Sequence, residues 1–268
     1  MDYNERKENE MSVDTVVIVR EVWDTRDLVG QVLDDAGGIK TDTVATRFEP
    51  EDLNALEMAL RLKESHGATV TAISAGAPRS VDVLREALYR GADAAVRVDA
   101  DPLSLDDQAL AAAYAGAIRE RSPCGLVLVG TTIVDGANSM LGAHLAAALD
   151  ADQVSWVDAL EEVTEEKVIA KRAIEMGYES VEVPLPAVLS VGVALLEDDP
   201  RAPRSAKAML KLKMKKVEIP VHAASTGEPL TRTAGRAAVP ARIIESRTVD
   251  AESETELKAM LDEARKGE

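Results

Sequence analysis

The chain has 268 residues and a formal net charge of −17, with 46% hydrophobic residues but only one Phe, two Trp and four Tyr. That length suits one large domain, or one domain plus an arm. The charge argues against a nucleic-acid backbone or an anionic membrane as the main partner. The single Cys124 excludes a disulfide framework or a cysteine-based metal site within the chain, and the three histidines share no ligand spacing.

In chain order, residues 1–12 are polar and are expected to form a disordered tail. Residues 15–20 are a continuous apolar run ending in Arg20, a buried first strand, with a loop starting at Trp23. Gly37-Gly38 marks a turn. Glu49, Pro50, Glu51 and Asp52 then open a helix: Pro suits its first turn, and acids complement its positive end. Residues 69–74 form the next strand, Ser80 caps a helix that Gly91 stops, and residues 95–98 are another strand. A helix over 106–121 leads to the strand 126–129. After it come Gly130, Thr131, Thr132, Ile133, Val134, Asp135, Gly136, Ala137, Asn138, Ser139, Met140 and Leu141, a loop and the start of a helix. The sheet resumes at 154–157. Residues 168–173 and 180–183 then read as a hairpin joined through Gly177, followed by a strand over 187–191.

This β–α alternation predicts an α/β fold, a doubly wound, mostly parallel sheet covered by helices on both faces, with a small β-hairpin and an extended C-terminal arm. Residues 13–222 would form the α/β domain. Residues 223–268 lack periodicity until a last helix with a Ser253/Glu256 capping box, and read as an arm lying on another subunit.

The strongest binding feature is the loop after the strand 126–129. In an open α/β sheet, ligands bind beyond the carboxyl ends of strands, and backbone N–H groups at a helix start suit a phosphate. Gly136, Ala137 and Ser139 leave room for close approach, and Asn138 is a good helix cap. Asp24, Glu49 and Asp135 fall near strand ends, where solvated loop acids are the commoner explanation. P-loop, nucleophile-elbow and zinc-protease signatures are absent, so binding is favoured over catalysis and no catalytic residue is assigned. The basic run 207–216, on an otherwise acidic chain, suits docking to an acidic partner.

Several of these pieces, taken in order, resemble the β subunit of electron transfer flavoproteins. Residues 17–25, ending in Asp24-Thr25, are similar to the family's first strand and turn. Residues 49–57 are similar to its Asn-Pro-Asp-Asp-x-Asn-Ala-Leu-Glu helix start. Ala87-Leu88 with Gly91-Ala92-Asp93, the loop 130–142, Pro184-x-Pro186-Ala187-Val188 and Thr231-Arg232-Thr233-Ala234-Gly235 fall where the family has counterparts. The resemblance covers most of residues 13–240.

It implies a fold like that of adenine-nucleotide α-hydrolases and a cytoplasmic heterodimer whose arm wraps the α subunit. FAD would be shared with that subunit. A second nucleotide, AMP or another FAD, would lie at Ile18, Asp24, Thr25, Glu49, Pro50, Glu51, Asp52, Ala75 and the loop from Gly130 to Leu141. Electrons would pass from acyl-CoA-type or other flavin dehydrogenases to a quinone-linked oxidoreductase or another acceptor. Ala206, Lys207, Ala208, Met209 and Leu210 match the family's partner-recognition segment. Asp24-Thr25 and Asp135-Gly136 favour the bifurcating type and a second FAD.

Three departures stand out: Glu49 replaces the family's Asn, Thr131-Thr132 replaces a basic-Gln pair, and residues 137–140 differ from the usual loop. A carboxylate beside a phosphate is unfavourable unless it faces the base or ribose. The rival readings are a flavin-free adenine-nucleotide sensor and an ATP-using enzyme of the same fold. Bound flavin and an α partner distinguish the carrier from both.

Overall fold

The structure is a computed structural model, and it describes residues 13–26, 32–35, 37–41, 43–121, 124–134, 139–192, 218–232, 234–235, 237 and 253–266. The N-terminal tail therefore lies outside the described residues. Two compact units are present, residues 1–236 and 237–268.

The first unit is built on one nine-stranded sheet. Its strands are β1 (Thr15–Ile18), β4 (Val70–Ala75), β5 (Ala94–Asp99), β6 (Leu126–Gly130), β7 (Asp152–Val163), β8 (Lys167–Ile174), β9 (Gly177–Pro184), β10 (Ala187–Val191) and β11 (Val221–Ala223). The spatial order is β11-β5-β4-β1-β6-β10-β7-β8-β9. Neighbours from β11 to β7 run parallel, and β8 and β9 continue antiparallel. A separate antiparallel pair joins β2 (Glu21–Trp23) to β3 (Thr46–Phe48).

The parallel strands are short and apolar because both faces are covered. On one face, α1 (Pro50–His66) and α2 (Val81–Arg90) pack their Leu and Ala residues on Val17, Ala72, Leu126 and Leu128. On the other, α3 (Asp107–Arg119) and α4 (Leu141–Leu149) cover Val16, Ile18, Ile73, Val127 and Val129. The strands' twofold alternation sends neighbouring residues to opposite helix layers. The expected α/β class, the mostly parallel sheet and the two helical layers are thus observed.

Several local expectations are corrected. The first strand ends at Ile18, and the chain then enters β2, so Trp23 lies in a strand and not in a loop. Ser80 has helical backbone angles and makes no cap hydrogen bond; its hydroxyl donates to Glu21 Oε2 at 2.9 Å. The expected hairpin belongs to a three-stranded meander, because β7 is twelve residues long and pairs with β8. Residues 221–223 add an edge strand beside β5, which the sequence pattern did not announce.

In the second unit, the last helix, α5 (Glu254–Lys266), starts at the expected cap: Glu256 N–H donates to Ser253 Oγ at 3.3 Å. No helix among the described residues is long and apolar enough to cross a membrane.

Candidate functional site

The order of the sheet locates a crevice. From β1 the chain adds β4 and then β5 on one side, and then crosses to add β6 on the other side of β1. The direction of winding therefore reverses between β1 and β6, and the carboxyl ends of these strands form the topological switch point where α/β sheets bind ligands. Ile18 ends β1, Ala75 ends β4, Gly130 ends β6, and Leu141 begins α4, so four elements bring these expected site residues to one rim.

The helix α1 aims its N-terminus at that rim. Glu49, its N-cap, and Glu51 and Asp52 in its first turn are all buried. Their carboxylates hold the chain on either side of the crevice. Asp52 Oδ2 accepts from Arg20 N (2.8 Å) and Arg20 Nε (2.9 Å), and Asp52 Oδ1 accepts from Arg20 Nη2 (2.8 Å) and Gly130 N (2.8 Å). Glu51 accepts from the backbone N–H of Thr132 and, at 2.7 Å, from its hydroxyl. Glu49 Oε2 accepts from Val134 N at 3.0 Å. The guanidinium of Arg20 completes the clamp by donating to the carbonyls of Gly130 (3.1 Å) and Thr132 (2.8 Å).

Electrostatics follow from this packing. Burial opposes the charge of Arg20, but the Asp52 carboxylate beside it, with Glu49 adding, more than offsets that and holds the guanidinium charged. Burial pushes the Glu49 carboxyl upward, against the Val134 hydrogen bond and the charge of Arg20, which stabilise its ionised form. Gly130 is required by the clamp itself: a Cβ there would lie 2.7 Å from both Asp52 Oδ1 and Glu51 Cβ.

The opposite wall faces α3 and α4. Ala75 N–H donates to the hydroxyl of the fully buried Tyr114 at 3.0 Å. Ser139 Oγ accepts from Leu141 N at 3.2 Å, and Met140 N donates to Asp107 Oδ2 at 2.6 Å, tying the start of α4 to the start of α3. Gly142 lets α4 approach β10, since a Cβ would sit 2.2 Å from Ser190 Oγ. Thr131 N donates to Val191 O at 2.9 Å, and strand alternation puts its side chain on the α4 side of the sheet. Its buried hydroxyl has no hydrogen-bond partner.

Other expected residues lie differently. Asp24 is bound by Arg26 (2.6 Å) and approached by Arg47 (3.7 Å), and the Arg26 hydrogen bond holds its carboxyl well below the usual range. Thr25 is exposed, Pro50 and Ile133 are half-buried, and Val134 and Met140 are exposed. Asp135, Gly136, Ala137, Asn138 and the segment Ala206–Leu210 lie outside the described residues. Cys124 is desolvated, its thiol pushed up to about 11, in keeping with an inert side chain. Sequence reasoning missed Arg20 and Tyr114. A cation closing an apolar strand, with acids at a later helix start, was the available signal for Arg20.

The sequence profile described as the electron transfer flavoprotein domain matches residues 37–239. The chain belongs to the electron transfer flavoprotein family. Among similar proteins, the electron transfer flavoprotein subunit beta of Thermoanaerobacterium thermosaccharolyticum is 35% identical over 176 residues, 65% of this chain and 66% of that one. The caffeyl-CoA reductase-Etf complex subunit CarD of Acetobacterium woodii is 32% identical over 188 residues, 69% of this chain and 70% of its own. The subunit beta of Bacillus subtilis is 29% identical over 203 residues, 75% and 76% of the two chains. The matched segment spans about two thirds of the first of these relatives. The flavoprotein motifs read from the sequence, and the β-subunit resemblance they carried, agree with these relatives.

Proposed function

We propose that this chain is the β subunit of an electron transfer flavoprotein heterodimer. It shares one FAD with an α subunit and holds a second adenine nucleotide, AMP or another FAD, at the switch point between β1 and β6. The complex carries electrons from acyl-CoA-type dehydrogenases to a quinone-linked or other acceptor in the cytoplasm, and the fold is of the adenine-nucleotide α-hydrolase kind. The observation that carries this reading is the convergence of Ile18, Ala75, Gly130 and the start of α4 on one crevice.

The residues present fit a nucleotide. Thr131 carries a buried hydroxyl without a partner, Ala75 and the fully buried Ile18 end their strands beneath the crevice, and Ser139 and Met140 stand at the helix start. When bound, the flavin supplies the redox chemistry, and the protein supplies binding and orientation. Asp52, Glu51 and Glu49 act on the loop rather than on the ligand: they fix its backbone so that Thr131 is presented in one place.

Co-expression with an α subunit and a visible spectrum test the reading. Stoichiometric flavin is expected, and two flavins per heterodimer assign FAD to the second site, whereas one flavin plus AMP assigns AMP. A colourless preparation refutes the proposal. Thr131→Val should lower the loop nucleotide while leaving the shared FAD intact, measured as nucleotide released per heterodimer.

A further inference from the structure

The strand β7 contains a bulge where it passes α1. Val157 pairs with Arg172 and Ala159 pairs with Lys171, so Asp158 is the extra residue with no partner across the ladder. Bulges re-aim side chains, and they concentrate beside sites. Asp158 is 7% exposed, its Oδ2 is buried, and no hydrogen bond reaches that oxygen. A buried carboxylate oxygen without a donor is costly and is retained only where something offsets it.

Asp158 lines a cavity of about 360 Å³ between β7 and the C-terminal half of α1. That volume is within the range of small-molecule sites, which combine apolar walls with a few polar groups. Here Met58, Leu62, Leu160 and Val163 supply the apolar walls. The charged groups at the cavity favour a cation. Glu161 and Glu162 lie beside Asp158 on β7, while Arg61 on α1 is already bound to Glu57 at 3.0 Å. His66 shares a hydrogen bond with Ser65 Oγ at 2.7 Å. On β8, the ammonium of Lys171 lies over the Tyr178 ring, 4.5 Å from its centroid. Burial raises the Asp158 carboxyl, and Lys171 opposes that.

The structure assigns to this cavity a small organic cation, a primary ammonium on an apolar chain. The ammonium sits against the Asp158 carboxylate, and the chain lies along Met58, Leu62, Leu160 and Val163. The site is separate from the crevice at Gly130 and does not rest on the nucleotide reading.

The test is ligand-observed saturation-transfer NMR on the full chain, with n-pentylammonium as the probe and pentan-1-ol as its neutral counterpart. Saturable binding of the ammonium is expected, with the alcohol a poor competitor. Asp158→Asn should weaken binding by about tenfold or more, the equivalent of losing one charge-assisted contact. Leu160→Trp, which narrows the cavity from its apolar wall and leaves the Asp158 charge in place, should also weaken it, and this holds the test in place should the Asn variant fail to fold. Absence of saturable binding, or equal binding by the wild type and by either folded variant, overturns the assignment.

Discussion

The pair Arg20–Asp52 gives the sharpest stability test of the clamp. Asp52 is fully buried and accepts four hydrogen bonds, and the Arg20 side chain is only 8% exposed. Asp52→Asn keeps the shape and one acceptor for Gly130 N–H, but leaves the guanidinium without its counter-charge. Breaking a buried pair from one side costs about 3–5 kcal/mol. With a urea slope of about 2–3 kcal/mol/M, the midpoint should fall by about 1–2.5 M at unchanged slope.

Arg20→Met strands the carboxylate in the same way and should cost a similar amount. The double variant Arg20→Met/Asp52→Asn removes both charges together, and it should be less destabilised than the sum of the single variants by about 2 kcal/mol or more. Urea unfolding followed by circular dichroism measures all three. A loss below about 1 kcal/mol for Asp52→Asn, or additivity within about 0.5 kcal/mol, would refute the reasoning.

Three further outcomes are expected. Glu49→Gln tests the sign of a raised carboxyl: folded Glu49 binds its proton more tightly than its ordinary value of 4.5, so its contribution to stability falls as pH rises through and above that value. The Gln variant should match or exceed the wild type in thermal stability at neutral pH and lose that advantage below pH 4.5; the reverse order refutes the assignment. Gly142→Ala should destabilise by about 1–3 kcal/mol through its clash with Ser190 Oγ, and Ser190→Ala should restore most of the loss, read as melting temperature. Tyr114→Phe strips the acceptor from Ala75 N–H and should cost about 1–3 kcal/mol, with faster hydrogen exchange at Ala75; unchanged exchange contradicts the bond.

The parallel core was legible because each of its strands is a short apolar run between polar helix starts. The β2–β3 pair was not legible, since three residues carry little pattern and their pairing is set over a separation of more than twenty residues. The long β7 strand was obscured by its own bulges: Asp158 and Glu161 are extra residues that break the twofold alternation. At the site, the family resemblance grouped Glu49, Glu51 and Asp52 with the loop from Gly130 as nucleotide contacts, and in the structure their carboxylates bind the backbone of that loop. What each carboxylate binds was not readable, because an acid at a helix start looks the same whether it faces a ligand or a neighbouring backbone.

That last distinction also changes the electrostatics of the crevice. The N–H groups of Gly130, Thr132 and Val134 are taken by Asp52, Glu51 and Glu49, and that of Thr131 by Val191 O. These four N–H groups are committed to the protein, so a phosphate cannot rely on them as it does on a glycine-rich phosphate loop. Glu49 in place of the family's Asn therefore raises no direct objection to an anionic ligand: its carboxylate is spent on the loop, and the buried Arg20 partly compensates the acid cluster. The buried Thr131 hydroxyl, by contrast, is not committed to any protein partner. Removing the Glu51 carboxylate should consequently loosen nucleotide binding by releasing Thr132, while Thr131→Val should weaken it with the loop still clamped. Hydrogen exchange at residues 130–134 separates the two effects, rising in Glu51→Ala, which removes both acceptors of Thr132, and unchanged in Thr131→Val. If both variants leave the loop equally protected, Glu51 is not what fixes it.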